Sequence, residues 1–218
     1  MNRKKDMIDI IQNLSGRFSP YEVFCDFVHC SAVATANSIS LFHDKLFEKR
    51  EAEYMDIMKK YSDEEFEQFP ILMAMLAETL EDNMSDVLGA IYMDSGMGNK
   101  NTGQFFTPFH LSKLTASLIL NQEKTNEILA SELIYEPSCG GGGMIIALAA
   151  VLKERGIDYQ RIRVITQDLD WKSVYMCYLQ LSLIGMKAIV VQGNTLKEPY
   201  LTPYTNERTF YTPAYLMF

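Results

Sequence analysis

Apolar positions in the first half of the chain recur at helical spacing. Ser19-Pro20-Tyr21-Glu22 has the form of a helix start: an N-cap serine, a proline at the first helical position and a glutamate placed for a capping box. Val23, Phe24, Phe27 and Val28 then share one face. Ser62-Asp63-Glu64-Glu65 repeats the capping signature, and Pro70 predicts a break soon after it. Leu72, Met73, Leu76, Leu80, Met84, Val87, Leu88 and Ile91 carry the apolar face onward. These Met and aliphatic positions read as core packing. Ser95 to Gly103, with three glycines and two asparagines, reads as a linker or mobile loop.

The second half changes period. Thr107 as N-cap and Pro108 as first helical residue predict a helix to about Leu120, with a second short helix before Ser131. Leu133–Tyr135, Ile162–Thr166 and Ala188–Val191 are short apolar runs of strand type. Between them lie helical patterns over Met144–Arg155, closed by Gly156, and Trp171–Ile184, closed by Gly185. Strands alternating with helices of this length predict an α/β fold with a parallel, doubly wound sheet. The expected organisation is a helical domain over 1–102 and an α/β domain over 103–218. Ligands of such sheets bind beyond the carboxyl ends of the strands. Glu136, Asp168 and Asn194 each follow a predicted strand, so they should meet at one edge.

The chemistry concentrates at Ile134-Tyr135-Glu136-Pro137-Ser138-Cys139-Gly140-Gly141-Gly142-Gly143-Met144. This is a strand, a tight turn and a helix N-terminus. Glycines let a ligand approach the backbone, and the first helical N–H groups face it. The dinucleotide fingerprint does not fit, because the sixth position counted from Gly140 is Ile145 rather than glycine. A P-loop is excluded, since no Gly-Lys-Ser or Gly-Lys-Thr follows.

Composition narrows the class. The chain has 218 residues, 48% of them hydrophobic and 22% charged, which fits a globular protein. No apolar run is long enough to span a membrane. The basic start Met1-Asn2-Arg3-Lys4-Lys5-Asp6 lacks an apolar core and cleavage site, so no secretion signal is read there. Cys25, Cys30, Cys139 and Cys177 form no pair of metal-type motifs; even Cys25, His29 and Cys30 on one helix face lack a fourth ligand. Reduced core thiols in a cytoplasmic protein are expected. The net charge of −8, with no dense Lys/Arg stripe, argues against tight DNA binding by this chain alone.

Four motifs carry a family resemblance. Gly103-Gln104-Phe105-Phe106-Thr107-Pro108 resembles the Gly-Gln-Phe/Tyr-Phe/Tyr-Thr-Pro motif of adenine-N6 DNA methyltransferases, most closely the modification subunit of type I restriction–modification systems. Glu136 to Gly143 resembles that family's S-adenosylmethionine loop. Gln167-Asp168-Leu169-Asp170 and Gly193-Asn194-Thr195-Leu196 resemble its next two steps. The resemblance implies a Rossmann-like methyltransferase domain, shortened at its carboxyl end, with S-adenosylmethionine as cofactor. It implies that Asp168 binds the ribose hydroxyls and Asn194 the adenine amine, with Asp170 the weaker choice for the ribose or a cap for the following helix. Glu136, Ser138, Gly140 and Gly142 would flank the methionine part, and Gln104, Phe105, Phe106 and Thr107 would close over it. Each also has a plain structural role: Thr107 as a helix cap, Phe105 and Phe106 as core, Asp168 as a solvated strand end.

The resemblance fails at the catalytic motif. The family's Asn/Asp-Pro-Pro-Tyr/Phe segment holds the target adenine after the fourth strand, and the chain has none. Thr212-Pro213-Ala214-Tyr215 is the positional equivalent, so Thr212, Pro213 and Tyr215 are degenerate catalytic candidates. Glu198-Pro199-Tyr200 aligns worse, being too close to Asn194. The isolated chain is expected to be inactive as a site-specific DNA methyltransferase. Two readings follow: a methyltransferase subunit that reaches DNA through a specificity or related modification subunit, or a non-catalytic cofactor-binding protein with a regulatory or interaction role. A sheet ending at Leu216-Met217-Phe218 would expose an apolar edge, which predicts self-association or docking onto a related subunit.

Overall fold

Ser19 starts the second helix as its sequence dictates. Its hydroxyl accepts from the Glu22 amide at 3.2 Å, and the Glu22 carboxylate accepts from the Ser19 amide at 2.7 Å. Two donors that a helix start leaves open are thereby met. The computed structural model of the protein describes residues 2–97, 105–120, 133–200 and 205–217. In its first part lie α1 (Arg3–Asn13), α2 (Pro20–Ser38), α3 (Lys45–Met58), α4 (Asp63–Phe66), α5 (Gln68–Asp82) and α6 (Val87–Asp94). Pro70 does not break the helix that follows Ser62. It is the third residue of α5, inside the first turn, where an amide has no intrahelical acceptor to lose. The break falls at Glu67, between α4 and α5.

The second part contains α7 (Phe109–Ile119), β1 (Ile134–Glu136), α8 (Gly143–Glu154), β2 (Arg163–Asp168), α9 (Trp171–Leu183), β3 (Lys187–Gln192), β4 (Thr209–Tyr211) and α10 (Pro213–Met217). Helix α7 starts one residue later than its sequence suggests. Pro108 occupies the N-cap position, and Thr107 gives the helix no side-chain cap. The short helix expected before Ser131 and the boundary at 102/103 lie outside the described residues, as does most of the Ser95–Gly103 loop.

The sheet has the order β1-β2-β3-β4. Strands β1, β2 and β3 are parallel, in register Glu136↔Thr166 and Asp168↔Gln192. Strand β4 runs antiparallel to β3, with Ile189↔Tyr211 and Val191↔Thr209. Three residues are too few to display a period of two, which is why β4 has no signature in the sequence. The doubly wound arrangement is not seen among the described residues. Helices α8 and α9 share a core with Val164, Ala188 and Val190, while Ile165, Ile189 and Val191 form a separate cluster with Tyr200 on the other face. The strand order advances in one direction, so two right-handed crossovers leave both helices on the same side.

The helices of the first part cover the outer side of α9. Phe24, Leu76 and Leu88 belong to one continuous core with Met176, Leu179 and Val190. Burying each such side chain contributes about 1.5–3 kcal/mol. This packing brings the N-terminus of α6 against the turn that leaves β1.

Candidate cofactor site

The turn after β1 needs its glycines for four separate reasons. Gly140 and Gly142 have φ of +52° and +91°, in the left-handed region. A Cβ on Gly140 would also stand 3.0 Å from the Phe106 ring, and one on Gly142 3.1 Å from the Cys177 sulfur. At Gly141 and Gly143 the obstacle is the Asp86 carboxylate, 3.2 and 3.1 Å from the added carbon. The turn is tied down by its own amides. Cys139 N–H donates to the Gln167 carbonyl at 3.0 Å, and Gly140 N–H donates to Asp168 Oδ2 at 2.9 Å. Gly142 precedes α8 without offering a side-chain cap, so the first amides of α8 keep no side-chain acceptor.

A cavity of about 380 Å³ opens above this turn, within the range of small-molecule sites. Phe105, Thr107, Ser138, Asp168, Asp86 and Ser112 are among the residues that bound it. The last two were not singled out from the sequence. Ser112 is fully buried, and its hydroxyl has no partner among the described residues. Asp86 is 5% exposed, and no cation pairs with it among the described residues. Its Oδ1 accepts from Gly89 N–H at 2.9 Å and from Gln180 Nε2 at 2.8 Å. Burial pushes the Asp86 carboxyl above its ordinary value, against the pull of those two bonds. Gln180 Nε2 also donates to the Gly141 carbonyl at 2.7 Å, so one amide ties α6, α9 and the glycine turn together. Only Gly89 permits this fold of the carboxylate, because a Cβ there would lie 2.1 Å from Asp86 Oδ2.

The residues singled out from the sequence divide into groups. Asp168 ends β2 and faces the cavity; its two oxygens accept from Gly140 N–H and Asp170 N–H, both at 2.9 Å. Asp170 itself caps α9, accepting from Lys172 N–H at 2.8 Å. Phe106 is buried, its ring edge-on to Tyr92 at 5.2 Å, whereas Phe105 is exposed at the cavity mouth. Glu136 ends β1 beside Asp168, and its carboxyl is raised first by burial and also by that neighbouring charge, while the Ser138 amide lowers it. Asn194 lies past β3 on the same edge, where Gly193 N–H donates to the Asp168 carbonyl at 2.8 Å. The Asn194 side chain closes its own turn by accepting from Leu196 N–H at 3.0 Å. Glu136, Gly142 and Asn194 do not line the cavity. Gln104 lies outside the described residues.

Thr212, Pro213 and Tyr215 are not brought to this edge. Because β4 runs against β3, its end returns to the amino edge of the sheet. Thr212 Oγ1 accepts from Ala188 N–H at 2.9 Å and donates to the Met186 carbonyl at 2.6 Å. Ala188 precedes Gln192 by four residues, about 13 Å back along the strand. Pro213 opens α10, and the Tyr215 ring packs on Tyr211 at 5.4 Å. Their alignment with the catalytic motif set them after a fourth strand of a parallel sheet, whereas β4 is antiparallel.

The profile of the N-6 DNA methylase family matches residues 82–212. That span, more than half of the chain, opens just before Asp86 and α6 and takes in the glycine turn, Asp168 and Asn194. The chain belongs to the N-6 DNA methylase family.

Proposed function

We propose that this chain binds S-adenosylmethionine in the cavity above the glycine turn and serves as a modification-type subunit for adenine-N6 methylation of DNA, of the kind found in type I restriction–modification systems. The observation that carries the reading is a cavity of fitting size bounded by the unpartnered Ser112 hydroxyl, the buried Asp86 carboxylate and the acidic end of β2. Asp168 is placed for a ribose diol. Asp86 offers a buried carboxylate for the methionine ammonium, and Ser112 and Thr107 offer hydroxyls for its carboxylate. Phe105 and Phe106 close the aromatic side. When bound, the cofactor supplies an electrophilic methyl group on a sulfonium centre. The chain's own residues hold it, exclude water along the Phe106 side and fix the position of the glycine turn.

The target adenine needs a carbonyl acceptor and a stacking ring near that methyl group. Thr212 and Tyr215, at the opposite edge of the sheet, do not supply them. This favours a second reading, a cofactor-binding subunit that is non-catalytic by itself and acts through related or specificity subunits, with DNA reached through those partners or through a homo-oligomer. The two readings separate on transfer of labelled methyl groups from S-adenosylmethionine to DNA, measured for the purified chain. Transfer would establish a catalytic role; cofactor binding without transfer would establish the second reading. Absence of cofactor binding in equilibrium dialysis would overturn both.

A further inference from the structure

A second and larger cavity, of about 560 Å³, opens on the same edge of the sheet. Gln192 borders it, and Gln192 is the register partner of Asp168, so the two cavities flank the turn Leu169-Asp170-Trp171. The Gln192 side-chain amide donates to the Leu169 carbonyl at 2.8 Å and closes the wall between them. Helix α3 lines the far side with Lys49, Arg50 and Glu53, and the approach to β4 contributes Glu207 and Arg208.

Its floor is aromatic. Trp171 stacks on Tyr175 at 5.5 Å and 27°, and His29 stacks on the same tyrosine at 4.4 Å and 8°. Phe210 meets Trp171 and Tyr175 edge-on, at 83° and 89°. Tyr175 is 8% exposed and so is used up by this packing, but Trp171 keeps 37% of its surface open. An indole face left to water beside a cavity is a stacking surface for a planar ring.

Its rim is basic. Lys49, Arg50 and Arg208 face two carboxylates, Glu53 and Glu207, in a chain whose net charge is −8. The Lys49–Glu207 pair at 2.5 Å is half exposed on both sides, and Arg208 reaches Glu198 only at 3.9 Å. Pairs of this kind hold weakly and exchange readily for another anion. Arg50 lies over the Phe210 ring at 4.6 Å and donates to the Thr209 carbonyl at 3.0 Å. Its Nε is buried and has no acceptor among the described residues.

We propose that this cavity binds one nucleotide unit, its base stacked on Trp171 and its phosphate held by Lys49 and Arg208. The inference stands apart from the cofactor cavity, since it uses none of that cavity's residues. The unit can come from an unpaired DNA strand or from a free nucleotide; the recognising chemistry is the same. A strand is the source that the family's DNA substrate suggests, because only an unpaired base offers its face for stacking.

Trp171 is the single tryptophan of the chain, so its fluorescence is a probe at this cavity's floor. The full chain is titrated with single-stranded oligothymidylate and, separately, with thymidine 5′-monophosphate. The expected result is saturable quenching that weakens with salt, with a logarithmic slope that falls by about 0.7 for each cation removed in Lys49→Ala and Arg208→Ala. Both variants change exposed side chains, and circular dichroism checks that they stay folded. Asp168→Ala leaves the quenching unchanged. Quenching by the oligonucleotide alone supports the proposal with a strand as the source; quenching by the monophosphate alone supports it with a free nucleotide as the source. No saturable quenching by either probe overturns it. So does quenching that survives the loss of both cations and disappears in Asp168→Ala, which would place the ligand in the cofactor cavity.

Discussion

The two edges of the sheet treat their polar groups in opposite ways. At the amino edge, the Thr212 hydroxyl both accepts from Ala188 N–H and donates to the Met186 carbonyl, and it is fully buried. Its hydrogen-bonding capacity is spent on the fold. At the carboxyl edge, the buried Ser112 hydroxyl has no partner among the described residues, Asp86 is a buried carboxylate, and α8 begins without a side-chain cap. Leaving buried polar groups unmet costs about 1–3 kcal/mol each. A fold tolerates that where a ligand completes the bonds. Motif alignment alone ranks Thr212 with the site; hydrogen-bond accounting separates them.

Substitutions at the two edges should separate on cofactor affinity. Gly142→Ala should have the largest effect. Its φ of +91° and the Cys177 sulfur 3.1 Å from the new carbon should cost about 2–4 kcal/mol of stability and remove S-adenosylmethionine binding, read by thermal melts with and without ligand. Asp86→Asn should weaken binding about tenfold, the loss of one charge-assisted bond. Its stability should move the other way. The Asp86 carboxyl is raised above 3.8 in the folded chain, so ionising it disfavours the native state. Below about pH 3.8 the acid is neutral whether folded or unfolded, and wild type and variant should melt alike. As the pH rises, wild type loses stability that the variant keeps. Melts across that range that show no divergence would remove the buried charge from the account.

Thr212→Val should leave affinity unchanged while destabilising the chain by about 1–3 kcal/mol, because the Ala188 amide loses its acceptor. Tyr215→Phe should change neither quantity by more than about 0.5 kcal/mol. A drop in cofactor affinity in either variant would show that the amino edge communicates with the site.

Most of the site's frame was legible in the sequence because it is local. The glycine turn, the acidic end of β2 and the capping boxes at Ser19 and Ser62 are all encoded within a few residues. Asp86 was not legible, since it lies far from Gly140 in the chain and looks like an ordinary N-cap for α6. The one local signal was Gly89 three residues on, which leaves room for the carboxylate to fold inward. The direction of β4 was hidden for a different reason. Strand sense is set by where the chain returns, and three residues carry no record of it. Thr107 shows the limit of capping rules. The same residue types that cap a helix also line a cavity, and only packing decides between the two.

Whether the carboxyl edge holds a cofactor is decided by calorimetric titration of the purified chain with S-adenosylmethionine, with Asp168→Ala as the control. Wild type should bind saturably, and the variant should lose about a hundredfold or more in affinity, some 2.7 kcal/mol. Equal binding by both proteins, or none by wild type, would contradict a cofactor site at that edge.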